Sequence, residues 1–279
     1  MLSFQSSPAR AKRAFEFVAP WVFRGPPHIC HLTEAIEDLT LNWVSVGRTT
    51  PRRVILYLHG GAYFAGSGAS YRGLLGRISK LTGIRMCAPD YRLLQDAPFP
   101  AAFEDAVLAW DLLIAKGYRP QDIVLGGDSA GGGLMLAMLA HLTQRGQQPR
   151  AAFAMSPWVD LTLLGKSLTT KQEVLLPVSR MDDVVDRYLG SAARNDPRAS
   201  PLFAKFDRPP PVLIQVGSGE ALRDDAVRMA DVLGDAADLR IWDGVPHVWQ
   251  MFDGYIPEAR KALREIAEFV QTSFAMDNR

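Results

Sequence analysis

Short uninterrupted apolar runs alternate along this chain with longer segments whose apolar residues recur at three- and four-residue spacings. The runs are Val54–Leu58, Ile84–Ala88, Ile123–Leu125, Ala151–Met155, Val212–Val216 and Leu239–Trp242. Most of them are continuously apolar, which predicts strands covered on both faces, the condition of a parallel sheet. The segments between and after them, Tyr71–Leu81, Ala101–Ala115, Ala130–Thr143, Asp224–Leu233 and Glu258–Phe274, keep a helical period. Together they predict an α/β fold, a mostly parallel sheet with helices on both faces. In residues 37–47 the apolar positions Leu39, Leu41, Trp43 and Val44 alternate less regularly, and predict an antiparallel edge strand ahead of the parallel set.

Two stretches break this rhythm: residues 1–35, and the long segment Leu161–Pro211 with its prolines at Pro177, Pro197, Pro201 and Pro209–Pro211. In an open α/β sheet the ligand lies beyond the carboxyl ends of the strands, so an insertion after Ala151–Met155 sits over that place. The expectation is one domain over residues 1–279, with a small helical cap contributed by about 1–35 and 162–198. Within the first part, Ala14, Phe15, Val18, Trp21 and Val22 fit an amphipathic helix. The Arg- and Ser-rich, acid-poor composition of the first 25 residues also fits an organelle transit peptide.

Composition narrows the classes of function. With 31 Lys and Arg against 30 Asp and Glu the net charge is +1, too small a field to gather nucleic acid or anionic lipid. No apolar run reaches the roughly 18 to 20 residues of a membrane-spanning helix. Two cysteines, Cys30 and Cys87, are too few for a disulfide framework and fit a reducing compartment, so the cytoplasm is expected. No nucleic-acid partner and no membrane span are expected.

The chemistry begins directly after Ile123–Leu125, where Gly126-Gly127-Asp128-Ser129-Ala130-Gly131-Gly132-Gly133 leads into a helical pattern. This is G-x-S-x-G between a strand and a helix, a sharp turn that lifts a serine oxygen above the sheet and tolerates only small neighbours. A phosphate loop would require Lys followed by Ser or Thr after the glycines, and Leu134-Met135 stand there instead. Ser129 is therefore the candidate nucleophile. A second bare stretch, His59-Gly60-Gly61-Ala62-Tyr63, follows Val54–Leu58 and suits an oxyanion hole. Its candidate donors are the backbone N–H groups of Gly61, Ala62 and Ala130. Alanine stands at 62 where such loops usually carry a third glycine, and it can donate if its φ/ψ is compatible.

Taken together, HGGAY at 59–63, DYRL at 90–93, PFPAAFEDA at 98–106, GDSAGG at 127–132, SPWVDLT at 156–162 and VPHVWQMF at 245–252 resemble the hormone-sensitive-lipase branch of bacterial esterases, within the α/β-hydrolase superfamily. Residues 1–50 and 163–198 match that pattern little. The resemblance implies hydrolysis of short-chain acyl esters, sometimes lactones or amides, by a Ser, acid and His triad through an acyl-enzyme intermediate, with no cofactor and no metal. It also implies small-molecule ester substrates and admits pairing of two copies through edge strands.

The chain order of the fold, Ser then acid then His, leaves His141 and His247 as downstream bases. His141 lies deep in the helix that starts at the elbow, pointing away from Ser129, whereas His247 sits where the family has its base. His59 reads as structural, and His28, Cys30 and His31 make only a weak metal-like spacing. For the acid, Glu220 occupies the first aspartate position of the family's D-x-L-x-D, with Asp224 as its competitor. A helix N-cap is the other reading of Asp224. Asp128 is expected to point away from the histidine. A ligand-binding protein on a retired hydrolase fold is the reading from a different class, but such proteins lose a triad member, and here all three are present.

Overall fold

The computed structural model describes Phe17, residues 23–169 and residues 173–275. The helix expected around Ala14 to Val22, and the transit-peptide alternative, fall almost wholly outside the described residues.

Eight strands form one sheet: β1 Ile29–Ile36, β2 Leu39–Val46, β3 Val54–Leu58, β4 Arg85–Pro89, β5 Ile123–Asp128, β6 Ala151–Met155, β7 Val212–Gly217 and β8 Ala237–Trp242. Their order across the sheet is β1-β2-β4-β3-β5-β6-β7-β8. Only β2 runs against its neighbours, and all pairings from β4 to β8 are parallel. The six apolar runs are the six parallel strands. β3, β5, β6 and β7 are buried at every position, which is why their sequences show no alternation.

The expected edge strand in 37–47 is present as β2, but it is not the edge. Residues 29–35, assigned from sequence to the cap, belong to β1, which covers β2 and lies mostly open on its outer side. ICHLTEAI mixes polar and apolar residues on both faces of an exposed strand, so neither strand nor helix period shows in it.

Helices α1 (Arg72–Thr82) and α6 (Pro257–Ala275) cover one face of the sheet, where Leu74, Leu75 and Ile78 meet Leu263, Ile266 and Val270 over Ile55, Val124 and Phe153. Helices α2 (Ala101–Ala115), α3 (Ser129–Gln144) and α5 (Arg223–Leu233) cover the other. α3 is buried at all but two of its positions and accordingly apolar all round. Sheet packing also uses absence of side chain: a Cβ on Gly126 of β5 would lie 2.4 Å from the Phe153 ring of the neighbouring strand.

The segment after β6 contains one further helix, α4 (Met181–Leu189). Its Tyr188 ring stacks on Tyr63 with centroids 3.8 Å apart, and the Tyr188 carbonyl accepts a 2.8 Å hydrogen bond from Phe99 N–H. α4 is thereby held against the loop that follows β3. The turns after β3, β5, β6, β7 and β8 all leave the sheet at its carboxyl edge and carry His59 to Tyr63, Ser129, Ser156, Glu220 and His247 respectively. Among the described residues, no helix is long and apolar enough to cross a membrane.

Candidate active site

Ser129 takes φ +50, a left-handed conformation uncommon for a side-chain-bearing residue, between extended Asp128 and the first turn of α3. The chain accepts this because its neighbours have no bulk. A Cβ on Gly131 would stand 2.2 Å from the carbonyl oxygens of Leu58 and His59, and one on Gly133 would stand 1.9 Å from the Trp158 carbonyl. Trp158 N–H donates to the Ser129 carbonyl at 2.9 Å and ties the elbow to the turn after β6. Strain of this kind at a buried, side-chain-bearing residue is a feature of functional turns.

Ser129 Oγ lies 2.9 Å from His247 Nε2, and His247 Nδ1 lies 2.8 Å from Glu220 Oε2. Because a carboxylate only accepts, Nδ1 carries the proton and Nε2 is left as acceptor for the serine hydroxyl. Three residues from three turns, far apart in sequence, thus form one hydrogen-bonded line. The other carboxylate oxygen, Glu220 Oε1, accepts from Gly217 N–H at 2.6 Å and from the Ser156 hydroxyl at 2.8 Å. Ser156 Oγ in turn accepts from Val248 N–H at 3.2 Å. Ser156 is fully buried and itself held at φ +47, so one hydroxyl fixes both the acid and the residue after the histidine.

Sequence reading passed over Ser156. The signal available was its place in SPWVDLT directly after a buried strand, at the sheet edge where ligands bind.

Burial works against a charged His247, yet the hydrogen bond and charge of Glu220, reinforced by the charges of Glu173 and Asp128, outweigh it and raise the imidazole above its ordinary value. Asp128 faces away from the imidazole, as expected. Its carboxylate accepts from Tyr57 OH at 2.7 Å, Tyr71 OH at 3.0 Å and Gly60 N–H at 3.0 Å. Burial pushes it up to about 6 against the opposing pull of those three donors. Asp128 therefore ties the elbow to the loop after β3.

In that loop Phe64 and Ala65 N–H both donate to the Gly61 carbonyl, at 3.1 and 3.0 Å, closing a tight turn. Gly61, Ala62 and Tyr63 take φ of +114, +50 and +61. Ala62 thus occupies a conformation open to alanine only at a cost of about 1–2 kcal/mol. Among the described residues, no hydrogen bond takes its donor from the backbone N–H of Gly61 or Ala62.

The remaining candidates lie elsewhere. Asp224 is not the N-cap of α5, a position held by Leu222. It sits in the first turn, and its carboxylate accepts from Ser167 N–H at 3.0 Å rather than facing His247. His59 stacks on Tyr91 with centroids 4.4 Å apart and its Nδ1 lies 2.8 Å from the Gly60 carbonyl, a structural placement. His141 packs edge-on against Phe103 in the last turn of α3. His31 bonds Asn42, and among the described residues no group of three or more His, Cys, Asp or Glu side chains is placed to hold a metal ion. In the segment after β6, Tyr188 is buried against Tyr63, Leu163, Leu176 and Val178 pack on the core, and Leu164, Val174 and Leu175 are exposed.

Comparison with known proteins follows the same line. A family model described as the alpha/beta hydrolase fold matches residues 55–251. An acetyl-hydrolase of Streptomyces hygroscopicus is 38% identical over 244 residues, covering 85% of this chain and 81% of that protein. An esterase of Acinetobacter venetianus is 36% identical over 233 residues, covering 81% and 76%. The solved structure of an esterase from the bacterial hormone-sensitive lipase family superposes with a TM-score of 0.92 at 36% identity, covering 98% of this chain and 93% of the other.

Proposed function

The chain belongs to the hormone-sensitive-lipase-like esterases of the α/β-hydrolase superfamily and is a carboxylesterase; from that premise we propose that it cleaves short-chain acyl esters through Ser129, His247 and Glu220. The observation that supports this reading most is the line of hydrogen bonds from Ser129 Oγ through His247 to Glu220, at 2.9 and 2.8 Å.

In this reading Ser129 Oγ attacks the ester carbonyl carbon while His247 Nε2 takes the hydroxyl proton. The oxyanion that forms is met by the N–H groups of Gly61, Ala62 and Ala130, each such donor being worth about 2.7–4 kcal/mol of barrier. Collapse breaks the bond to the alkoxy oxygen, which leaves as alcohol with the proton from Nε2, and the acyl group stays on Ser129. Water then repeats the sequence, with His247 as base, and releases the acid. Glu220 holds the imidazole in the required tautomer and stabilises its charged form. Small acyl groups are favoured because the similar Streptomyces protein is an acetyl-hydrolase. The cap is proposed to be the segment from Thr162 to Arg198, anchored by the Tyr188–Tyr63 stack.

Purified protein should hydrolyse p-nitrophenyl acetate and butyrate, and Ser129→Ala should lose that turnover while keeping its fold. Undiminished hydrolysis by the alanine variant would remove Ser129 from the mechanism.

A further inference from the structure

The turn that carries Glu220 has three bonds of its own: Glu220 N–H reaches the Gly217 carbonyl at 3.2 Å, Gly217 N–H reaches Glu220 Oε1 at 2.6 Å, and Arg223 N–H reaches the Glu220 carbonyl at 3.2 Å. Between them lies Ala221, fully buried. Both of its backbone polar groups are taken by the segment after β6. The Ser167 hydroxyl donates to the Ala221 carbonyl at 2.6 Å, and the Glu173 carboxylate accepts from Ala221 N–H at 3.1 Å.

Each of these two side chains is also fixed from its other side. Ser167 Oγ accepts from Asp224 N–H at 2.9 Å, while Ser167 N–H donates to the Asp224 carboxylate at 3.0 Å. The second oxygen of Glu173 accepts from Leu175 and Leu176 N–H at 2.7 and 2.9 Å, folding its own loop around the carboxylate. A buried peptide gripped at both N–H and C=O by one neighbouring segment is placed by that segment, since releasing either group leaves it unpaired away from water.

We propose that Ser167 and Glu173 are positioning residues, a clasp through which the segment after β6 holds the Glu220 turn so that its carboxylate stays on His247. This rests on the triad reading above. The consequence is that docking of the segment and competence of the triad are one event. A segment lifted from the sheet edge frees Ala221, and with it the residue that orients the imidazole. Glu220 meets His247 directly, and the charges of Glu173 and, from the far side of the elbow, Asp128 act on it through space, so Glu173 also adds negative charge near the base.

The test compares Ser167→Ala, Glu173→Gln and Ser167→Thr with the parent in the full chain, measuring kcat and KM separately on p-nitrophenyl acetate across pH. Misplacing a catalytic group by a fraction of an ångström lowers kcat by about ten-fold or more. The expected result is a kcat loss of that size in Ser167→Ala and Glu173→Gln with KM little changed. Recovery is expected in Ser167→Thr, which keeps the hydroxyl, and the acid limb of the Glu173→Gln profile should move to lower pH. A change in melting temperature alone, or a rise in KM with kcat preserved, overturns the clasp. Glu220→Ala measured in parallel separates the two readings: full activity there refutes the triad acid, whereas its loss with unaltered kcat in the Ser167 and Glu173 variants refutes the clasp alone.

Discussion

The hydroxyl of Ser156 donates to Oε1 of Glu220 at 2.8 Å, and the opposite oxygen of the same carboxylate meets His247 Nδ1 at the same distance. A residue outside the Ser, His and acid set therefore decides which oxygen of the acid is available. It also accepts from Val248 N–H, beside the histidine. Ser156→Ala is expected to lower kcat by about ten- to a hundred-fold through misplacement of the acid. It should cost about 1–3 kcal/mol of stability through the unpaired Val248 N–H. Steady-state kinetics and denaturant unfolding check both, and a loss of stability with unchanged kcat would reduce Ser156 to a core contact.

The proposed mechanism requires a neutral His247, and the carboxylates around it raise its proton affinity above that of an ordinary imidazole. As pH falls through that raised value the base becomes charged and activity is lost. The acid limb of kcat/KM should therefore lie above the usual imidazole value of about 6.5. Glu220→Gln should move that limb down and lower kcat by roughly 10³–10⁴-fold, as loss of the orienting acid does in other triads. A limb that stays in place in Glu220→Gln would assign the elevation to other groups.

Two neighbouring glycines of α3 separate steric need from helix propensity. A Cβ on Gly133 would meet the Trp158 carbonyl at 1.9 Å, backbone that cannot move without shifting the turn after β6. A Cβ on Gly132 would lie 3.1 Å from Pro157 Cβ. Alanine gains about 1 kcal/mol over glycine within a helix. Gly132→Ala is expected to stay within about 1 kcal/mol of the parent, while Gly133→Ala loses roughly 3 kcal/mol or more. Equal midpoints in urea would contradict the contact geometry.

Asp128 predicts a slope of stability with pH. Its folded-state value, pushed up to about 6, exceeds the ordinary 3.8, so the folded protein holds this proton more tightly than the unfolded chain. The contribution is fully present below about pH 4 and is lost as pH rises through about 6, amounting to about 3 kcal/mol. Asp128→Asn cannot ionise. Its unfolding free energy relative to the parent should rise by about that amount between pH 4 and pH 7, measured by denaturant titration, and parallel pH profiles would show that Asp128 is not the group responsible.

The sheet of parallel strands, the elbow at Ser129 and the loop at His59 to Tyr63 were legible in the residues alone, because continuous apolar runs and glycine clusters are local consequences of burial and crowding. The sequence also pointed to His247 by chain order within a recognised pattern. The strand β1 was not legible, since an exposed strand with mixed faces carries no period, and its form comes from pairing with β2. Between Glu220 and Asp224 the residues themselves offered two carboxylates four positions apart. Only the folded chain separates them, sending Glu220 to His247 and Asp224 to Ser167. The same holds for Ser156, Ser167 and Glu173. Their partners lie on turns from distant strands, and a hydrogen bond between such turns depends on where the sheet brings its carboxyl ends together, a fact of three-dimensional packing that no local pattern of residues encodes.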